Sequence, residues 1–225
     1  MFNDRKFLVV GFDMDSTLLD TDVNYRKLSL AIYNEMIREG VPDGIVNMDE
    51  TSKFNLDDGL SYLKRNNRSD DIPGILERIQ IIMKNVELEN VLSARPYGGA
   101  EAMLAYLRGR GYKIGVLTRG SREYAEKALT VSGVADMIDA LVCRDDHDES
   151  ESKPSPLAMY HLARAFGVRP NEILYLGDNK IDYFCARNSG AGFIGVLTRY
   201  TEQDWISVDD RINMIGTVAD LTDIL

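Results

Sequence analysis

The chain has 225 residues, of which 44% are hydrophobic and 28% charged, enough for one large domain or for a core with a smaller inserted unit. Its 36 acidic residues outnumber 26 basic ones, for a formal charge of -10. That charge repels nucleic acid and anionic lipid over most of the surface, so an anionic substrate needs a local cluster of donors. No apolar run approaches the roughly 20 residues that span a bilayer. The run Phe7 to Phe12 is cut short by Asp13 before it reaches signal-peptide length, so a cytoplasmic address without membrane or nucleic-acid partners is expected. Cys143 and Cys185 form no CxxC pair and read as buried thiols in a reducing compartment.

Short apolar runs alternate with helix-length segments. Lys6 to Phe12, Lys113 to Leu117, Ala140 to Val142, Ile173 to Leu176 and Phe193 to Leu197 have the β-branched and aromatic content of buried parallel strands. Between Asp20 and Arg95 the alternation stops, and Val23 to Glu39, Leu56 to Arg65 and Ile72 to Val86 read as helices. The last of these carries Ile75, Ile79, Ile82 and Val86 at helical spacing. Further on, Ser121 begins a helix near Arg122 to Ser132 that stops at Gly133, and Ser155-Pro156 begins another that closes at Gly167. The pattern predicts the α/β class, with a doubly wound parallel sheet core over 1–19 and 96–225 and an inserted α-helical cap subdomain over 20–95.

In doubly wound sheets, ligands bind beyond the carboxyl ends of the strands. Asp13-Met14-Asp15-Ser16-Thr17 follows the first strand directly and sets two acids two positions apart at that end. Thr118 ends a later strand, where its hydroxyl and the following N–H groups suit phosphate oxygens. Lys153 precedes Pro154-Ser155-Pro156, which restricts the loop and aims one ammonium. Gly177-Asp178-Asn179-Lys180-Ile181-Asp182 follows another strand, with its acids about one helical turn apart. Hard oxygen donors of this kind suit Mg²⁺. With two histidines and two scattered cysteines, zinc is not expected.

Together Asp13-Met14-Asp15-Ser16-Thr17, Thr118, Lys153 and Gly177-Asp178 with Asp182 resemble the four ordered motifs of the haloacid dehalogenase superfamily, in its DxDxT phosphatase branch. Asp20-Thr21 resembles the lead into the cap of phosphoglycolate phosphatase-like members. The resemblance covers essentially the whole chain and implies a Rossmann-like core, a helical cap that closes over the site, and a Mg²⁺-dependent phosphomonoesterase acting on a small phosphorylated metabolite. It implies Asp13 as nucleophile, forming a phosphoaspartyl intermediate, and Asp15 as general acid and base. It also implies metal ligation by Asp13, Asp178 and the backbone carbonyl of Asp15, with Thr118 and Lys153 steadying the transferring phosphoryl group. Asp182, Thr17 and Asn179 stand behind these, Asp182 positioning Lys153 or a metal-bound water. Ser16 departs from a glycine common in phosphoglycolate phosphatase-like members, and Asn179 from a frequent serine or threonine.

Other residues are read more plainly. Arg119 is a candidate phosphate contact or a structural arginine. Lys53, in a loop over Asp49 to Lys53, is a candidate substrate contact. Lys64, Arg65 and Arg68 form a solvated helix end. Asp145 to Glu151, five acids in seven positions, lacks the spacing of a metal site and reads as a solvated loop. Trp205 and the tyrosines read as packing or surface residues. A phosphoglucomutase-like phosphotransferase, which returns phosphate to a sugar, and a non-catalytic phosphoreceiver remain alternatives, as do the monomer and the homodimer.

Overall fold

The computed structural model describes residues 7–225, so Lys6, expected to begin the first strand, lies outside the described residues. The apolar runs form a six-stranded parallel sheet. Its strands are β1 (Val9–Phe12), β4 (Lys113–Leu117), β5 (Ala140–Val142), β6 (Ile173–Gly177), β7 (Gly192–Val196) and β8 (Asn213–Ile215), arranged β5-β4-β1-β6-β7-β8. β1 is central, with Val9 beside Lys113 on one side and Ile173 on the other. All four of its residues are buried, as are all five of β6 and all five of β7, which is why these strands are continuously apolar rather than alternating.

Helices α4 (Ala100–Gly109), α5 (Arg122–Val131), α6 (Pro156–Phe166), α7 (Lys180–Ser189) and α8 (Glu202–Val208) connect or flank the strands. Trp205 of α8 is fully buried in a cluster that includes Leu162, Tyr175, Cys185 and Phe193. Gly195 lets β7 approach that indole, since a Cβ there would lie 2.9 Å from the ring. Both cysteines are free and buried. Among the described residues, no helix is long and apolar enough to cross a membrane.

The chain divides into two compact units, one comprising the chain up to Thr21 with Leu92–Leu225, the other Asp22–Val91. The second contains α1 (Tyr25–Arg38), α2 (Ser52–Arg65) and α3 (Ile72–Leu88), packed through Leu28, Ile32, Met36, Leu56, Leu63 and Ile75. α2 begins four residues earlier than its apolar spacing suggests. Thr51 caps it by accepting from the Phe54 N–H, so Lys53 belongs to the first helical turn rather than to a loop. On α3 the buried stripe runs Ile72, Ile75, Ile79, Met83 and Val86, leaving Ile82 half-buried. Arg68 is not a merely solvated helix end: it pairs with Asp71 at 2.6 Å and Glu39 at 3.2 Å.

In the first unit, β2 (Leu19–Asp20) and β3 (Arg95–Pro96) form a two-stranded antiparallel ribbon absent from the sequence reading. The Asp20 carboxylate accepts from Arg95 at 2.6 Å across it.

Candidate active site

The site is built where β1, β4 and β6 end. Asp13 continues the β1 ladder by donating its N–H to the Leu176 carbonyl at 2.8 Å, which fixes the backbone from which the carboxylate projects. The chain then turns sharply: Ser16 takes a φ of 60°, a left-handed conformation that glycine adopts without a Cβ penalty. The turn is secured by Ser16 N–H to Leu19 carbonyl at 2.9 Å and by the Thr198 hydroxyl, which donates to the Ser16 carbonyl. Asp15 accepts from the Thr21 hydroxyl at 2.7 Å and from the Tyr124 phenol at 2.5 Å.

Lys153 is 2% exposed, and its ammonium donates to Asp13 Oδ1 at 2.6 Å, Asp182 Oδ1 at 2.6 Å and the Tyr175 hydroxyl at 2.9 Å. Tyr175 in turn donates to the Leu117 carbonyl at 2.8 Å, so the ammonium is braced from β4 and β6 at once. Asp182 has a second task. Its Oδ2 accepts from the Asn179 N–H at 3.1 Å, while Asn179 Oδ1 accepts from Ile181, a reciprocal cap that starts α7. Gly177 makes this possible, because a Cβ there would fall 2.4 Å from that of Asp182.

The Thr17 hydroxyl, fully buried, donates to Asp178 Oδ1 at 3.2 Å. Asp178 Oδ2 is buried without a hydrogen-bond partner. A buried carboxylate oxygen left without a donor is costly, and oxygens of Asp13, Asp178 and Asp182 lie within 4.8 Å of one another. Three buried carboxylates beside one ammonium leave excess negative charge. An oxygen-seeking divalent cation answers both the orphaned atom and that excess, so the donor set fits Mg²⁺. The electrostatics agree. Burial, then Asp13, then Asp182 push the Asp178 carboxyl up to about 8. Burial raises Asp182 to about 6 against the opposing pull of Lys153. Asp13 and Asp182 keep the Lys153 ammonium charged, its pKa raised although burial opposes them.

Residues 10–196 match the haloacid dehalogenase-like hydrolase family. The chain belongs to that family. It is 26% identical over 221 residues to a phosphoglycolate phosphatase of Neisseria meningitidis, covering 96% of this chain and 91% of that protein. It is 27% identical to an N-acetylmuramic acid 6-phosphate phosphatase of Pseudomonas aeruginosa, covering 85% and 82%. A solved haloacid dehalogenase-like hydrolase from Streptococcus pneumoniae shares the fold with a TM-score of 0.62 at 14% identity, covering 97% of this chain and 99% of that one.

Within this hydrolase, Asp13, Thr17, Lys153, Asp178 and Asp182 converge, and Asp15 stands two residues from Asp13. Thr118 is buried at the end of β4, its N–H on the Val142 carbonyl and its hydroxyl accepting from the Gly120 N–H at 2.9 Å. Ser121 occupies the first position before α5 without a side-chain cap bond, and Asp145 takes the Arg122 N–H instead at 2.8 Å. Arg119 donates to the Lys153 carbonyl at 2.7 Å and to Glu149 at 2.9 Å, a tie between two loops. Lys53 pairs with Asp57 at 2.7 Å along α2.

The acidic run is a solvated loop only in part: Asp145, His147, Asp148 and Ser150 are exposed, the others are not. Two short 3₁₀ turns order Arg144–Asp146 and Glu149–Glu151, Glu149 is buried on Arg119, and Asp146 holds Arg122 at 2.6 Å. Tyr124, Thr21, Tyr175 and Thr198 were not legible as site residues. Tyr175 carried the one available signal, a phenol in the middle of a strand buried on both faces, where its hydroxyl must find partners.

Proposed function

We propose that this hydrolase is a Mg²⁺-dependent phosphomonoesterase that cleaves a small phosphorylated metabolite through a phosphoaspartyl intermediate on Asp13. The observation that carries this reading is the buried Lys153 ammonium clamped between Asp13 and Asp182, beside an Asp178 oxygen that lacks a partner. The phosphatase relatives support the reaction class, and phosphoglycolate and sugar phosphates are the substrates to test first. The net charge and the buried thiols support a cytoplasmic enzyme, monomeric or homodimeric, with no nucleic-acid or membrane partner.

Asp13, Asp178 and the backbone carbonyl of Asp15 would hold the ion. Bound there, Mg²⁺ offsets the repulsion between the Asp13 carboxylate and a phosphate dianion. A carboxylate oxygen of Asp13 bonds to phosphorus as the bond from phosphorus to the alkoxide oxygen breaks, and the alkoxide takes its proton from Asp15. Asp15, now a carboxylate, removes a proton from the water whose oxygen attacks phosphorus and returns Asp13 to its free form. Tyr124 and Thr21, both donating to Asp15 Oδ1, orient that proton carrier. Lys153 and Thr118 stabilise charge on the phosphoryl oxygens. Asp182, Thr17 and Tyr175 hold those groups in register.

The test is phosphate release from an aryl phosphate with and without Mg²⁺, then a ranking of phosphorylated metabolites by kcat/KM. Asp13→Asn should abolish release with an unchanged far-ultraviolet spectrum. Full activity in that variant refutes the nucleophile, and release that ignores Mg²⁺ refutes the metal.

A further inference from the structure

The chain has two histidines, and the fold brings both to one point outside the carboxylate centre. His147 follows the first 3₁₀ turn of the acidic segment and is exposed, while His161 lies in α6 and is half-buried. Their rings stack with centroids 3.5 Å apart at an interplanar angle of 14°. Glu151 joins them, its Oε2 2.6 Å from His161 Nε2. One ligand atom from each of the three residues lies within 4.8 Å of the others.

We propose that His147, Glu151 and His161 form a second metal site, selective for a divalent transition ion of borderline softness such as Zn²⁺. Two imidazoles and one carboxylate match the donor set of three-ligand zinc centres and leave one position for water, whereas Mg²⁺ prefers an all-oxygen shell. The ion replaces the contact between His161 Nε2 and Glu151, with the imidazole kept neutral by carrying its proton on Nδ1. His147 turns out of the stack so that its ring plane contains the ion, a movement open to it because it is exposed. The neighbouring Asp145 and Asp148 add negative charge that favours a cation.

The site also has a lever on the other centre. Glu151 lies two residues before Lys153, and His147, Glu151 and His161 line the same small cavity as Thr118 and Lys153. An ion here would fasten the segment that carries Lys153 to α6. The inference does not depend on the phosphatase reading, since it concerns binding at separate side chains.

The experiment is calorimetric titration of the 225-residue chain with Zn²⁺ in saturating Mg²⁺. The expected result is one Zn²⁺ per chain, retained in Asp178→Asn, with affinity falling by at least about tenfold in either His147→Gln or His161→Gln. Zn²⁺ should raise the thermal midpoint of the parent protein and leave that of the double histidine variant unmoved. His147→Gln removes only the stack on His161 and leaves the buried core untouched, because that side chain is exposed. Equal Zn²⁺ affinity in the parent and the double variant, or loss of the bound Zn²⁺ in Asp178→Asn, overturns the proposal, as does the absence of Zn²⁺ binding.

Discussion

Lys153 shows how much one side chain can hold. Its ammonium is the cation bonded to both Asp13 and Asp182, at 2% exposure, so truncation leaves two buried carboxylates without their counter-charge. Breaking a buried pair by removing one partner costs about 3–5 kcal/mol. Lys153→Met should lower stability in urea denaturation by about that amount, and should slow turnover by roughly a hundredfold or more if the proposed phosphoryl contact is lost. A change in rate below about tenfold, or 1.4 kcal/mol, would make the lysine structural alone. Tyr124 separates the two effects. Its hydroxyl donates to Asp15, but its ring is already buried by packing, so Tyr124→Phe keeps the shape and removes the orienting bond. The expected outcome is a kcat lowered by about tenfold with KM nearly unchanged, since the proposed proton carrier is disturbed and substrate binding is not.

At the scale of elements, the junction from β6 to α7 sets the geometry of the site. Gly177 must lack a side chain because Asp182 packs against its Cα while serving both as helix cap and as the partner of Lys153. Gly177→Ala should cost about 1–3 kcal/mol by overpacking, measurable as a lowered denaturation midpoint, and should cut turnover because Asp182 must move off the ammonium. Such junctions explain what the sequence made legible. Asp13, Thr118 and Asp178 each follow a continuous apolar run, and a strand that ends in a polar residue announces the mouth of a doubly wound sheet. Other features had no such signature. β2 and β3 are two residues each, too short for any periodicity, and they pair only because the intervening chain returns Arg95 to Asp20. The start of α2 was obscured because Ser52, Lys53 and Asn55 are polar, so its first turn lacks the apolar spacing that marks Leu56 onward. The histidine pair joins two separate elements, and spacing along the chain carries no trace of that meeting.

At the scale of the whole molecule, a formal charge of -10 makes the fold sensitive to where its buried acids sit. In the metal-free protein Asp178 is raised to about 8 by burial and by its carboxylate neighbours, whereas an unfolded aspartate titrates near 3.9. Below about pH 4 both states carry the proton and the residue contributes no pH dependence. Between about 4 and 8 the folded chain binds the proton that the unfolded chain has released, so stability falls as pH rises and levels off above the folded value. In chelator, the thermal midpoint should therefore decline across that interval. Asp178→Asn, which cannot ionise, should flatten the decline and raise the midpoint at pH 8. Diffuse repulsion among surface acids also grows with pH, but this single substitution leaves almost all of it in place, so the change in slope isolates the buried carboxyl. Mg²⁺ should reverse the effect in the parent, because an ion on Asp178 competes with its proton and binds the folded state alone. The midpoint gain from Mg²⁺ should be larger at pH 8 than at pH 5 and should shrink sharply in Asp178→Asn. A gain of equal size at both pH values, or one undiminished by the substitution, would place the ion away from Asp178.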